Sequence, residues 1–171
     1  MTPQAGLLIR FIIDLEGGLV DDPRDPGGIT KYGISLRFLK QLNGSASREE
    51  ILDLDMAGAV ALYEEHFWDK CQCDRMPPPL GLLVLGGAIN QGPQRVLRRL
   101  QRTVATNDDG IIGEHSLSAI HSCWIANPQE LLRDFTARRA KMYAETKNVD
   151  IYGRGWYRRL LLVYSKALEM M

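Results

Sequence analysis

The sequence carries no excess of charge of either sign. Its 21 Lys and Arg are offset by 21 Asp and Glu, so the field that draws a protein to nucleic acid is missing. Cysteine is scarce and odd in number. Cys71, Cys73 and Cys123 have no framework spacing, which excludes a disulfide scaffold and points to free thiols in a reducing compartment. Long apolar runs are lacking as well: the stretch 80–89 is about half a membrane span and holds three glycines. The opening MTPQAGLLIRFIIDLEGG has no positive leader, and Arg10 and Asp14 interrupt it, so a signal peptide is not expected. Repeats, low-complexity tracts and long linkers are missing too. What is left is a soluble chain of 171 residues, which can bury roughly 70% of its unfolded surface without metal or disulfide.

Helical periodicity dominates. Leu7, Leu8, Phe11, Ile12 and Leu15 predict a helix over 3–16, ended by Gly17 and Gly18. The Pro, Asp and Gly content of 19–34 predicts a loop or short hairpin. Ser35 suits a helix N-cap, and Ser47 with Glu50 matches a capping box. A helix opening at Asp55 is expected to reach Trp68, with Ala57, Val60, Ala61, Tyr63 and Phe67 toward the interior. After Pro77, Pro78 and Pro79, a buried helix is predicted to Gln91, then one over 93–105 with Val96, Leu97, Leu100 and Val104 on its inner face. A turn at 107–110 precedes a helix near Ser116. Asn127-Pro128 starts a long helix to Thr146, and a last one runs from Gly155. The chain reads as all-α with a small irregular or β-like insert after the first helix.

The densest chemistry lies in EGGLVDDPRDPGGITKYGI, residues 16–34. Glu16 ends an apolar helix, where the negative end of the macrodipole disfavours an ionised carboxylate by roughly 0.3–1 kcal/mol. Apolar neighbours act in the same direction, as a general acid requires. Equally, a glutamate before a glycine C-cap is an ordinary solvated residue. Asp25 stands across the loop and Thr30 five residues beyond it. A glycosidase pairs its acid with a second carboxylate that stays ionised. Asp21 and Asp22 are rivals on distance, and Asp25 also suits an Asp-Pro-Gly-Gly turn. Gly27, Gly28 and Gly33 permit close approach of backbone or sugar. These residues point to cleavage of a polysaccharide, with bacterial peptidoglycan the best fit.

The same string resembles the N-terminal signature of glycoside hydrolase family 108, the N-acetylmuramidases of phage and bacterial endolysins. That pattern, near E-G-G-x-x-x-D-P-x-D-x-G-G-x-T-x-x-G-I, is matched by Glu16, Gly17, Gly18, Asp22, Pro23, Asp25, Gly27, Gly28, Thr30, Gly33 and Ile34. The spacing E-x8-D-x4-T also resembles the Glu/Asp/Thr constellation of other phage lysozymes, with one residue fewer before the threonine. Tyr63, Trp68 and Asn90-x-Gly92 look like the family's middle section. Residues 99–120 look like a peptidoglycan-binding segment, and Arg139, Tyr143, Gly155, Trp156 and Arg159 like its closing elements. Two departures stand out. Gly86 replaces a usual aspartate, and Glu114 and Ser116 replace a proline and a threonine.

The resemblance implies a lysozyme-like fold with Glu16, Asp25 and Thr30 catalytic and no cofactor or metal. It implies substrate contacts from Gly27, Gly28, Tyr32, Asn90, Trp68 and Trp156. The catalytic region is expected over 1–87 and a peptidoglycan-binding-like helical region over 88–171, packed as one compact unit. The partner implied is the peptidoglycan glycan strand, met by a monomer made in the host cytoplasm that depends on a holin to reach the wall. A non-catalytic wall-binding module and a lytic transglycosylase are the alternatives. Other signals read more plainly. Arg95, Arg98, Arg99 and Arg102 suit a solvated helix face, though one able to meet an anionic wall polymer or lipid. His66, Asp69, Cys71, Cys73 and Asp74 lack the paired spacing of a metal site. His115 and His121 suit the surface. Trp68 and Trp156 suit either sugar stacking or a half-buried core.

Overall fold

The computed structural model describes residues 3–21 and 27–171. Nine α-helices and one two-stranded sheet occur among them, so the all-α, lysozyme-like expectation with a small β insert holds. The chain divides into two compact units, Met1–Glu64 and Glu65–Met171. The expected functional division after residue 87 falls inside one helix, Pro78–Gln91.

The first unit is built on α1 (Pro3–Glu16). Ala5, Leu8, Ile9, Ile12 and Ile13 are buried, a stripe at i, i+3, i+4, i+7 and i+8 that packs against α4 (Met56–Tyr63). Leu7, expected inside, is 70% exposed because it lies on the face opposite that stripe. Strands β1 (Thr30–Lys31) and β2 (Ile34–Ser35) pair antiparallel, Lys31 opposite Ile34. The two residues between them, Tyr32 at φ +54° and Gly33 at φ +77°, form the left-handed turn that matches hairpin twist. Val20 adds a bridge to Thr30. Ser35 then caps α2 (Leu36–Asn43), accepting from the Phe38 N–H at 3.1 Å. The capping box of Ser47 and Glu50 opens α3 (Arg48–Asp53).

The helix begun at Asp55 changes pitch. It is α-helical to Tyr63 and π-helical over Glu64–Asp69, and a π turn inserts one residue. The buried positions are accordingly Ala59, Val60, Tyr63 and Trp68, whereas Ala57 and Ala61 are exposed and Phe67 is half-buried.

In the second unit α5 (Pro78–Gln91) is buried at every residue from Pro79 to Ala88. A helix apolar all round must be central. It is packed by α6 (Pro93–Thr103), α8 (Pro128–Ala144) and α9 (Val149–Glu169), while α7 (Glu114–Ala126) lies on α8. Asn127 caps α8 through the Glu130 N–H. Helix α9 starts at Val149, six residues before the expected Gly155. Gly153 and Gly155 do not begin the helix but lie within it: aromatic packing of Tyr152, Trp156 and Tyr157 holds the segment helical. No helix among the described residues is long and apolar enough to cross a membrane.

Candidate functional site

In the first unit the site is assembled by the hairpin. The first turn of α2 needs partners for its free N–H groups, and the preceding loop supplies them. Leu36 N donates to Ile29 O at 2.9 Å and Arg37 N to Gly27 O at 3.1 Å. Val20 and Thr30 exchange two backbone bonds of 2.8 Å. Gly27, buried, and Gly28, at φ +73°, are thereby fixed in the loop that carries Thr30. The Thr30 hydroxyl donates to Gly28 O at 3.2 Å. Lys31 Nζ reaches the Leu52 carbonyl at 2.5 Å at the end of α3 and lies over the Tyr32 ring.

Glu16 is the last residue of α1 and is half-buried. Its aliphatic stem packs on the hairpin turn. A Cβ placed on Gly33 would fall 2.9 Å from Glu16 Cβ and 3.0 Å from its Cγ, and on top of the Tyr63 hydroxyl. That hydroxyl donates to Tyr32 O at 3.0 Å. Glu16, Tyr32, Gly33 and Tyr63 therefore form one packed group, with Thr30 two residues before Tyr32 on the same hairpin. Tyr63 was singled out from sequence only as a motif residue. Its part here is to lock the turn on which Glu16 rests.

Of the rival carboxylates, Asp21 falls among the described residues. Asp21 is paired to Arg48 at 2.5 Å, and that hydrogen bond holds its carboxyl below the usual range. Asp22 and Asp25 lie outside the described residues.

In the second unit Asn90 and Trp156 come together and Trp68 does not. Both line a cavity of about 200 Å³ with Gln91, Arg95 and Tyr143. Tyr143 donates to Asn90 Oδ1 at 2.6 Å, and its ring stacks on Trp156 at 5.4 Å. Trp68 is 3% exposed beside Gly81, its Nε1 without a partner among the described residues. In this structure it is a core residue.

Beneath the cavity Arg139 is 2% exposed. It donates to Leu83 O at 2.9 Å and Gln91 Oε1 at 3.1 Å, and Gln91 Nε2 returns a bond to Arg139 O at 3.0 Å. Burial pushes its pKa down to about 10, against the pull of the Tyr143 hydroxyl. The guanidinium fills the space over Gly87. Gly86, which departs from the family pattern, is itself buried in α5. Gln91 was read from the sequence only as a helix end, although it sits within Asn90-x-Gly92.

Residues 9–92, about half of the chain, match the family model Glycosyl hydrolase 108. The chain belongs to this family. Its segment runs from the middle of α1 to the cap of α5, so it spans Glu16, the hairpin and Asn90. The glycoside hydrolase is also similar to a solved structure of Brucella abortus SagA, 29% identical over 99% of this chain and 97% of that one, at a TM-score of 0.89. The likeness therefore extends well past the family 108 segment to the end of α9. No curated protein matches it.

Proposed function

We propose that this family 108 hydrolase is an N-acetylmuramidase in which Glu16 is the general acid that cuts the β-1,4 bond between N-acetylmuramic acid and N-acetylglucosamine. Peptidoglycan is the substrate, and the role is that of an endolysin released to the wall of the host with the help of a holin. The observation that carries the reading is the seating of Glu16. One carboxylate at a helix C-terminus is held half-buried by Gly33 and Tyr63, on the hairpin that bears Thr30. There Glu16 protonates the leaving oxygen, and the positive charge that develops on the sugar needs a fixed anion nearby. Asp25 supplies that anion. Thr30 has its proton directed to Gly28 O, so its oxygen accepts from a water and orients it. Gly27, Gly28 and Tyr32 frame the loop toward the sugar, and Asn90 and Trp156 contact the wall from the region 88–171.

The test is mass spectrometry of fragments released from purified sacculi by the wild type and by Glu16→Gln. Reducing N-acetylmuramic acid ends, reduced at least about 1,000-fold in a folded Glu16→Gln protein, are expected for loss of the acid. Anhydro-muramic ends would make the enzyme a transglycosylase. Full activity of the folded variant would falsify the assignment of Glu16.

A further inference from the structure

Arg95, Arg98, Arg99 and Arg102 stand at i, i+3, i+4 and i+7 on α6, so one face of one helix carries all four guanidiniums. They line a groove of about 330 Å³ whose opposite wall is the end of α8, with Met142, Glu145 and Thr146. Arg95, Met142 and Thr146 also line the neighbouring cavity floored by Tyr143 and Trp156. The charges in this groove do not cancel. Arg99 pairs with Glu145 at 3.7 Å and Arg102 with Asp108. Arg95 and Arg98 are exposed, and the Asp108 carboxylate held by Arg102 also feels the charge of Arg98. A chain with no net charge thus concentrates cations in one concave place.

We propose that this groove binds the stem peptide of peptidoglycan through its carboxylates. The proposal rests on the peptidoglycan reading above. Three features select the ligand. The stripe is arginine throughout, and a guanidinium fork matches a carboxylate in bidentate fashion where a lysine would not. The one acid among its lining residues, Glu145, stands between Arg99 at 3.7 Å and Lys141 at 3.8 Å. A ligand with several carboxylates fits a groove whose four guanidiniums outnumber the two carboxylates that meet them, Glu145 and Asp108, and a diaminopimelate-type stem peptide is such a ligand. The length agrees too: Arg95 to Arg102 spans about 10 Å of helix, which is about three extended residues of peptide. Trp156, half-buried at the end of the groove and backed by the buried Tyr143 ring, would then meet the sugar to which the peptide is joined.

The experiment titrates the soluble tetrapeptide L-alanyl-γ-D-glutamyl-diaminopimelyl-D-alanine into the full chain, followed by NMR and calorimetry. Saturable binding is expected, with shifts confined to amides of α6 and residues 142–146. The double variant Arg95→Gln/Arg98→Gln is expected to bind at least about tenfold more weakly, since two charge-assisted bonds are lost. Shift mapping on the wild type keeps the test decisive even where that variant folds poorly. No saturable binding, or shifts elsewhere, overturns the proposal. Tighter binding of a short polyglycerol phosphate than of the tetrapeptide also overturns it, in favour of a phosphate polymer. Digestion of sacculi is measured in parallel. Digestion without tetrapeptide binding removes the subsite and leaves the muramidase, whereas binding without digestion does the reverse.

Discussion

Glu16 depends on a glycine seventeen positions away. Gly33 satisfies two demands at once, a left-handed φ of +77° and a surface without Cβ against which Glu16 and Tyr63 close. Gly33→Ala should therefore cost at least about 2 kcal/mol, combining αL strain with overpacking. It should also lower activity by displacing Glu16. The denaturant midpoint and the rate on sacculi check both effects. Adding Tyr63→Phe removes the hydroxyl that the new methyl meets, so the double variant should lose less stability than the two single losses summed. Simple additivity would sink this account. Sequence made Glu16, Gly33 and Thr30 visible because a fixed local spacing carries them. It could not assign the role of Tyr63, whose bond to Tyr32 closes a separation of 31 residues, nor that of Gln91 on Arg139, separated by 48. Periodicity reports which way a residue faces, and a partner that distant leaves no periodic trace.

Elements were most legible where capping chemistry is local. Ser35, Ser47, Asp55 and Asn127 all accept the N–H expected of an N-cap. They were least legible where tertiary packing overrides propensity, as in α9, which runs straight through two glycines, and in the π turn that carries Trp68 inward. The link between α6 and α7 adds a titratable case. Gln101, 1% exposed, donates to Asp109 Oδ1 at 2.8 Å and accepts from Gly110 N at 2.7 Å, while Asp109 also takes the Ile111 N–H at 2.8 Å. These bonds hold the Asp109 carboxyl below its ordinary range. A carboxyl lowered by folding stabilises above its unfolded value of about 3.9, and that contribution is lost as pH falls through the folded value. Asp109→Asn should accordingly be less stable than wild type at pH 7, with the difference shrinking at pH 3. Urea midpoints at the two pH values decide it, and a difference that stays constant between them would refute the linkage.

At the scale of the whole chain, the family match and the compact units divide the sequence differently. The family 108 segment ends at residue 92, at the cap of α5, whereas the first unit closes at Glu64. A family segment follows shared ancestry, but a folding unit follows where apolar surface is covered. In residues 65–171 the central helix α5 has α6, α8 and α9 around it, and the bonds of Arg139 to Leu83 and Gln91 close within that unit. Residues 1–64 have shorter means. Helices α2, α3 and α4 contain 8, 6 and 8 residues, too few to be stable without packing, and a domain of about 60 residues buries only about 60% of its unfolded surface. Expressed alone, residues 65–171 should unfold in one cooperative transition and give dispersed amide spectra, while residues 1–64 alone should show a broad, weak transition. Circular dichroism in urea and a two-dimensional amide NMR spectrum of each piece make the comparison. If 65–171 unfolds without cooperativity, α5 needs the first unit to complete its core. If it folds, the groove on α6 can be titrated apart from Glu16, and peptide binding and glycan cleavage become separately measurable properties of one chain.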